Sequence, residues 1–239
     1  MRIMLALAPV TLLVASSQAT TVYNPAMQFS NSANPSTSWS YGYSLTLGSP
    51  LIPFTETRNV SGVDFWRNNI AYGAPAVLHN PTGSPITLGT PLIDAGGLAL
   101  HPGPNGEIAI LRFIVPSAGD YHITGSFYGQ DTVGTTTDVH IFVNGLPSLD
   151  GTVSGFGAGT GPSFDNTVTL TAGGLLDFAV GVGTGGYGWD TTGLSVQIAV
   201  VPEPSAISLL AVFGIGGSLV RRRYDSRRTA QAPRVHFAS

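Results

Sequence analysis

His122, Asp138 and His140 are the residues whose types could hold a transition metal, since imidazole and carboxylate are both suitable ligands. They share a face only if residues 121–128 and 136–143 form neighbouring strands, because alternate strand residues point the same way. His122, Thr124, Ser126 and Tyr128 would then stand beside Asp138, His140 and Phe142. The competing reading is a solvated polar face. The same face offers Tyr128 or Phe142 as a platform for a sugar ring. A second group lies in GVGTGGYGWDTTGL, residues 181–194. Asp190, with Thr191 and Thr192, supplies oxygen ligands of the kind Ca2+ prefers. The favoured reading is an Asx-turn to nearby backbone N–H groups. Tyr187 and Trp189 on the same segment combine apolar area with a polar tip, which suits stacking on sugars, although ordinary packing uses such residues too. Gly181, Gly183 and Gly186 have the GxGxxG spacing of a dinucleotide site. No helix is expected after them to hold a pyrophosphate, so they read as a mobile loop.

Signals for catalysis are poor. A glycosidase needs two carboxylates flanking the scissile bond. Glu56, Glu107, Asp131 and Asp138 are available, but no spacing pairs them. Neither a GxSxG elbow nor an HExxH motif occurs. His101, in LHPGPNG, has no evident partner. The expectation is a protein that is not an enzyme. A carbohydrate-active hydrolase of the exopolysaccharide layer is the alternative.

The elements that must position these residues are strands. Residues 107–115 (EIAILRFIV) are apolar at nearly every position, as in a strand covered on both faces. Pro116 ends it, having no N–H for a ladder. Residues 121–128 alternate, with Tyr121, Ile123 and Phe127 on one side. Residues 136–143 alternate with Val139, Ile141 and Val143 together, and Asn144-Gly145 signals a type I′ hairpin. Residues 168–171 and 175–182, around Gly173-Gly174, read as another hairpin. Leu194, Val196, Ile198 and Val200 share one face of a last strand. Short strands separated by turns predict an all-β chain, a single β-sandwich or jelly roll over residues 20–200. Residues 20–97 are irregular; they complete this sandwich or form a separate cap. The pattern over residues 98–200 resembles jelly-roll domains of exported bacterial proteins, some of them carbohydrate-binding modules.

The composition narrows the partners. Of 239 residues, 43% are apolar and only 10% charged, with no cysteine. The absent cysteines exclude disulfides, thiolate metal sites and a cysteine nucleophile. Residues 20–204 carry three arginines against twelve acids, a net of −9. So acidic a body argues against nucleic acid, whose phosphates need cationic partners. No cofactor is expected beyond the Ca2+ that Asp190 would admit.

The ends read as addresses. Residues 1–19 have Arg2, then an apolar run, then Ser17-Gln18-Ala19, the pattern of a cleavable signal peptide. Near the other end, Pro202-Glu203-Pro204 precedes sixteen uncharged residues, 205–220, and then Arg221, Arg222 and Arg223. As a helix, sixteen residues span about 24 Å, short of a hydrocarbon core of about 30 Å. Arginines after a span stay cytoplasmic, so the body would face outward. Residues 224–239 read as a disordered polar tail.

Pro202-Glu203-Pro204, the apolar segment and the arginine cluster, in this order, resemble a PEP-CTERM sorting domain over residues 201–223. The resemblance implies a transmembrane sorting helix held transiently in the inner membrane and cleavage by an exosortase near the triplet. It implies a bacterial protein exported to the cell surface or extracellular matrix. The expected role is structural or glycan-binding, with exosortase and extracellular polysaccharide as partners. A permanently anchored envelope protein is a further possibility.

Overall fold

The computed structural model describes residues 20–71 and 73–203. The expected signal peptide 1–19, Pro204, the expected sorting helix 205–220, Arg221, Arg222, Arg223 and residues 224–239 lie outside them. The described residues contain sixteen strands and no helix, and hence none long and apolar enough to cross a membrane. In chain order these are β1 (Val22–Tyr23), β2 (Trp39–Ser44), β3 (Ile52–Pro53), β4 (Glu56–Val60), β5 (Val63–Ala71) and β6 (Ala74–His79). Then come β7 (Ile86–Thr87), β8 (Leu92–Ile93), β9 (Leu98–His101), β10 (Ile108–Ile114) and β11 (Gly119–Gly129). The last are β12 (Asp138–Val143), β13 (Leu146–Thr152), β14 (Ser163–Leu170), β15 (Leu175–Gly181) and β16 (Thr192–Val200).

Two antiparallel sheets form the sandwich. The larger runs β14-β11-β16-β9-β6-β5-β4, with β1 also paired to β16. The smaller runs β13-β12-β15-β10-β2-β3. Residues 20–79 therefore belong to the sandwich, supplying strands to both sheets, while residues 80–97 lie outside both.

Period-2 alternation explains the core. Tyr121, Ile123 and Phe127 of β11, and Leu194, Val196 and Ile198 of β16, face inward from the larger sheet. Leu111, Phe113, Val139, Ile141 and Phe178 face them from the smaller one. Tyr41 of β2 stacks on Trp66 of β5 across the gap, rings 6.0 Å apart and 9° from parallel. The β12–β13 hairpin forms as expected; Asn144 and Gly145 turn at φ of 51° and 79°. Glycine adopts that second angle without strain.

Two expected pairings are corrected. β11 pairs with β14 and β16, whereas β12 pairs with β13 and β15. The connection between β11 and β12 crosses from one sheet to the other instead of turning back. Likewise β14 and β15 are not a hairpin: the turn at Gly173-Gly174 carries the chain from the larger sheet to the smaller. In both cases each strand satisfies its alternation equally well against a different neighbour, because burial constrains the face and not the partner.

A second, smaller apolar cluster covers the outer face of the larger sheet. Val63, Ala76, Leu78 and Ala99 point away from the main core and are capped by Ile93, with Ile86 and Leu88 packed alongside. Residues 80–97 make this flap, with the β7–β8 ribbon inside it. Fully buried Asn80 anchors it, its amide donating to the carbonyls of Ser84, Ile93 and Asp94. Burying Ile93 contributes roughly 1.5–3 kcal/mol relative to exposure.

Candidate functional site

The flap stops short of the whole outer face. Between it and residues 183–191 lies a cleft of about 590 Å³. Phe65, Ala76 and Leu78 give it an apolar floor, Leu88 and Pro91 one wall, and Tyr187 and Trp189 the other. Trp189 is 58% exposed and held at φ 63°, a left-handed conformation unusual for so large a residue. His101 ends β9 on the same face as Ala99, and its ring meets Tyr187 edge-on at 6.3 Å.

Beside Thr90 and the polar tips of Tyr187 and Trp189, this apolar cleft is lined by three polar side chains, His101, Asp131 and Thr191. His101 Nδ1–H donates to the Pro102 carbonyl at 2.8 Å, which leaves Nε2 as an acceptor. Burial holds its imidazole below the ordinary histidine value, against the upward pull of the Pro102 carbonyl and Asp131. Asp131 is 1% exposed. Its Oδ2 accepts from Thr90 Oγ1 at 3.0 Å and its Oδ1 from the Val133 N–H at 3.1 Å. Thr191 is equally buried, and its Oγ1 has no partner.

The glycine-rich segment is tied near both ends by hydrogen bonds. The Gly183 N–H donates to Asp138 Oδ1 at 2.8 Å. Thr135 Oγ1 donates to the Thr191 carbonyl at 3.0 Å. Asp190 is fully buried; its Oδ1 accepts from Thr136, while Oδ2 has no partner. Burial, then the charges of Asp131 and Asp138, raise its pKa, while the bonds from Thr136 oppose the shift. The Asx-turn expected of Asp190 is thus replaced by a long-range tie to the strand lead-in. Thr192 turns into the sandwich and meets Thr137 Oγ1 at 2.7 Å. Strand β16 follows the glycines, so the GxGxxG spacing has no helix to serve.

The histidine–aspartate constellation is split. His122 is on the outer face of the larger sheet, paired with Asp165 at 2.7 Å. Asp138 and His140 are on the outer face of the smaller sheet. There His140 bonds Asp150 through Nδ1 at 2.6 Å and Asp138 through Nε2 at 3.0 Å. Among the described residues no group of three or more His, Asp or Glu is arranged to hold a metal. Tyr128 is also apart from the cleft. It lies flat over Gly193, where a Cβ would come within 2.5 Å of the ring. Its hydroxyl donates to Asp94 at 2.9 Å. Tyr187 and Trp189 are thus brought together, and Tyr128 is not with them. Sequence reasoning missed the flap residues and had no partner for His101; the alternation of LALH (98–101) was the available signal.

No protein-family model and no curated protein matches the chain. Solved structures give similarities at low identity. CBM51 from Clostridium perfringens GH95, in complex with methyl-galactose, is 12% identical over 54% of this chain and 90% of that one, with a TM-score of 0.34. A family 35 carbohydrate binding module from Clostridium thermocellum is 17% identical over 76% and 98%, at 0.30. An Arthrobacter globiformis T6 isomalto-dextranase complexed with panose is 16% identical over 75% of this chain and 23% of its own, at 0.27. No residue role is carried over from any of them.

Proposed function

We propose that this is an exported bacterial protein of the cell surface or extracellular matrix whose body binds glycan, without catalysis, at the Trp189 cleft. The observation that carries the reading is Trp189 itself. A mostly exposed indole, held over an apolar cleft with few polar groups, gains from a ligand that covers it. A sugar ring presents C–H groups to such a face and hydroxyls to polar groups such as His101, Asp131 and Thr191. Hydrolysis would need two carboxylates. Among the described residues Asp131 is the single carboxylate lining this cleft, which favours binding over bond cleavage.

Delivery rests on the sequence signals: the signal segment 1–19, Pro202-Glu203-Pro204, the apolar segment and Arg221, Arg222 and Arg223. In this reading the chain is held in the inner membrane until an exosortase cuts near the triplet, and extracellular polysaccharide is its partner.

Affinity electrophoresis of the full-length protein in gels containing exopolysaccharide tests the binding. Retention is expected, with its loss in Trp189→Ala at unchanged Tm. Retention that survives this change, or release of reducing ends from the polymer, overturns the proposal. For delivery, the intact mass of surface protein should lack the residues after the triplet; a full-length mass overturns that half.

A further inference from the structure

We infer that the Trp189 cleft is selective for uncharged, hydroxyl-rich glycans and excludes those bearing uronate, sulfate or phosphate groups; this rests on the glycan reading of the cleft.

Beside the Tyr187 hydroxyl and the Trp189 indole N–H, which can donate, three side chains of the lining offer acceptors. Asp131 has one hydrogen bond on each oxygen, from Thr90 and Val133. A carboxylate offers about four acceptor sites, so two are left for a ligand. His101 keeps its Nε2 lone pair, because Nδ1–H is bound to Pro102. Thr191 Oγ1, 1% exposed and without a partner, accepts or donates. A buried polar atom left unsatisfied costs about 1–3 kcal/mol, so Thr191 gains by a ligand that fills its vacancy. Sugar hydroxyls are donors and meet all three groups. A uronate or a sulfate brings acceptor-only oxygens and a negative charge.

Charge points the same way. No arginine lines the cleft, and the single formal charge in its lining is Asp131. Arg67 lies behind Gly73, but its guanidinium is bound to Glu56. Arg112 is on the other sheet in a two-point pair with Asp177. Arg58 sits opposite Phe65 in the β4–β5 register and is exposed outside the lining. Residues 20–204 carry a net −9. An anionic ligand therefore meets like charge at long range and at contact. The imidazole, depressed by burial, adds no compensating positive charge near neutral pH.

The test is calorimetric titration of the full-length protein with a set of neutral oligosaccharides (gluco-, galacto- and manno-configured) and of oligogalacturonates, at low and high salt. Neutral oligosaccharides should bind, and oligogalacturonates should bind at least tenfold more weakly, with the gap narrowing as salt screens the repulsion. Thr191→Val, which keeps the side-chain shape, should weaken neutral ligands roughly 3- to 10-fold. Asp131→Asn should reduce the discrimination against uronates; if that variant fails to fold, Thr191→Val and the salt series still decide. Uronates binding as tightly as neutral sugars overturn the selectivity and leave the glycan reading standing. Binding of neither class overturns the glycan reading itself.

Discussion

Asp190 grips Thr136 twice through one oxygen: Oδ1 accepts the Thr136 N–H at 2.9 Å and its hydroxyl at 3.1 Å. This contact joins the segment that carries Tyr187 and Trp189 to the strand lead-in of the opposite sheet. Asp190→Ala should cost roughly 2–3 kcal/mol, because it leaves the Thr136 N–H without its partner. Asp190→Asn keeps the acceptor and removes the buried charge. Since burial raises this carboxyl in the folded state, its ionisation opposes folding as pH rises above the unfolded value of 3.8. Urea melts at acidic and neutral pH should show the Asn variant losing that dependence; identical pH profiles for it and the wild type would refute the assignment.

His140 fastens the β12–β13 hairpin. Its pKa is raised, first by the bond to Asp138, against burial, and then by the bond to Asp150. That of Asp138 is lowered, chiefly by His140. The histidine's contribution is complete below 6.5 and is lost as pH rises through its folded value. The aspartate's is complete above 3.8 and is lost as pH falls through its folded value. Stability should therefore carry a maximum between these two limits, and His140→Gln should flatten it. Thermal melts across this range are the check.

Tyr128 and Trp189 should separate cleanly. Tyr128→Phe removes a donor to Asp94 and should cost about 0.5–1.5 kcal/mol of stability. It should leave glycan retention unchanged, while Trp189→Ala should abolish it. Loss of retention in Tyr128→Phe would move the site to the wrong part of the sheet.

Thr90 ties the flap to the cleft wall through Asp131, and its carbonyl accepts from Thr132. Thr90→Val should raise amide exchange across residues 86–93 and change global stability by only about 1 kcal/mol. Glycan affinity should fall along with the loss of protection. Unchanged exchange would show that the Thr90–Asp131 bond does not hold the flap.

Much of the fold was legible. Val139, Ile141 and Phe178 have the alternation their burial requires, and Asn144-Gly145 dictated its own turn. The partners of β11, β12, β14 and β15 were not legible, because period-2 patterning marks a buried face without saying which strand lies beside it. Tyr187 and Trp189 stood out as aromatics in a glycine-rich segment. The rest of the cleft did not, for two reasons. His101 and Asp131 are lone polar residues in the sequence, and it is the distant Tyr187 and Thr90 that bring them to the cleft. Leu88, Thr90 and Pro91 sit in a flap whose few apolar residues follow no period.

The pairing of β1 with β16 places Val22 opposite Ala199, so the two ends of the body lie side by side. Trp189 precedes the other end of β16. Nine residues at about 3.4 Å each make that strand a strut roughly 30 Å long. Trp189 therefore lies beyond one end of this one strand and Val200 at the opposite end. On the proposed reading, a glycan at the indole would be met about one strand length from the point where the chain leaves the body.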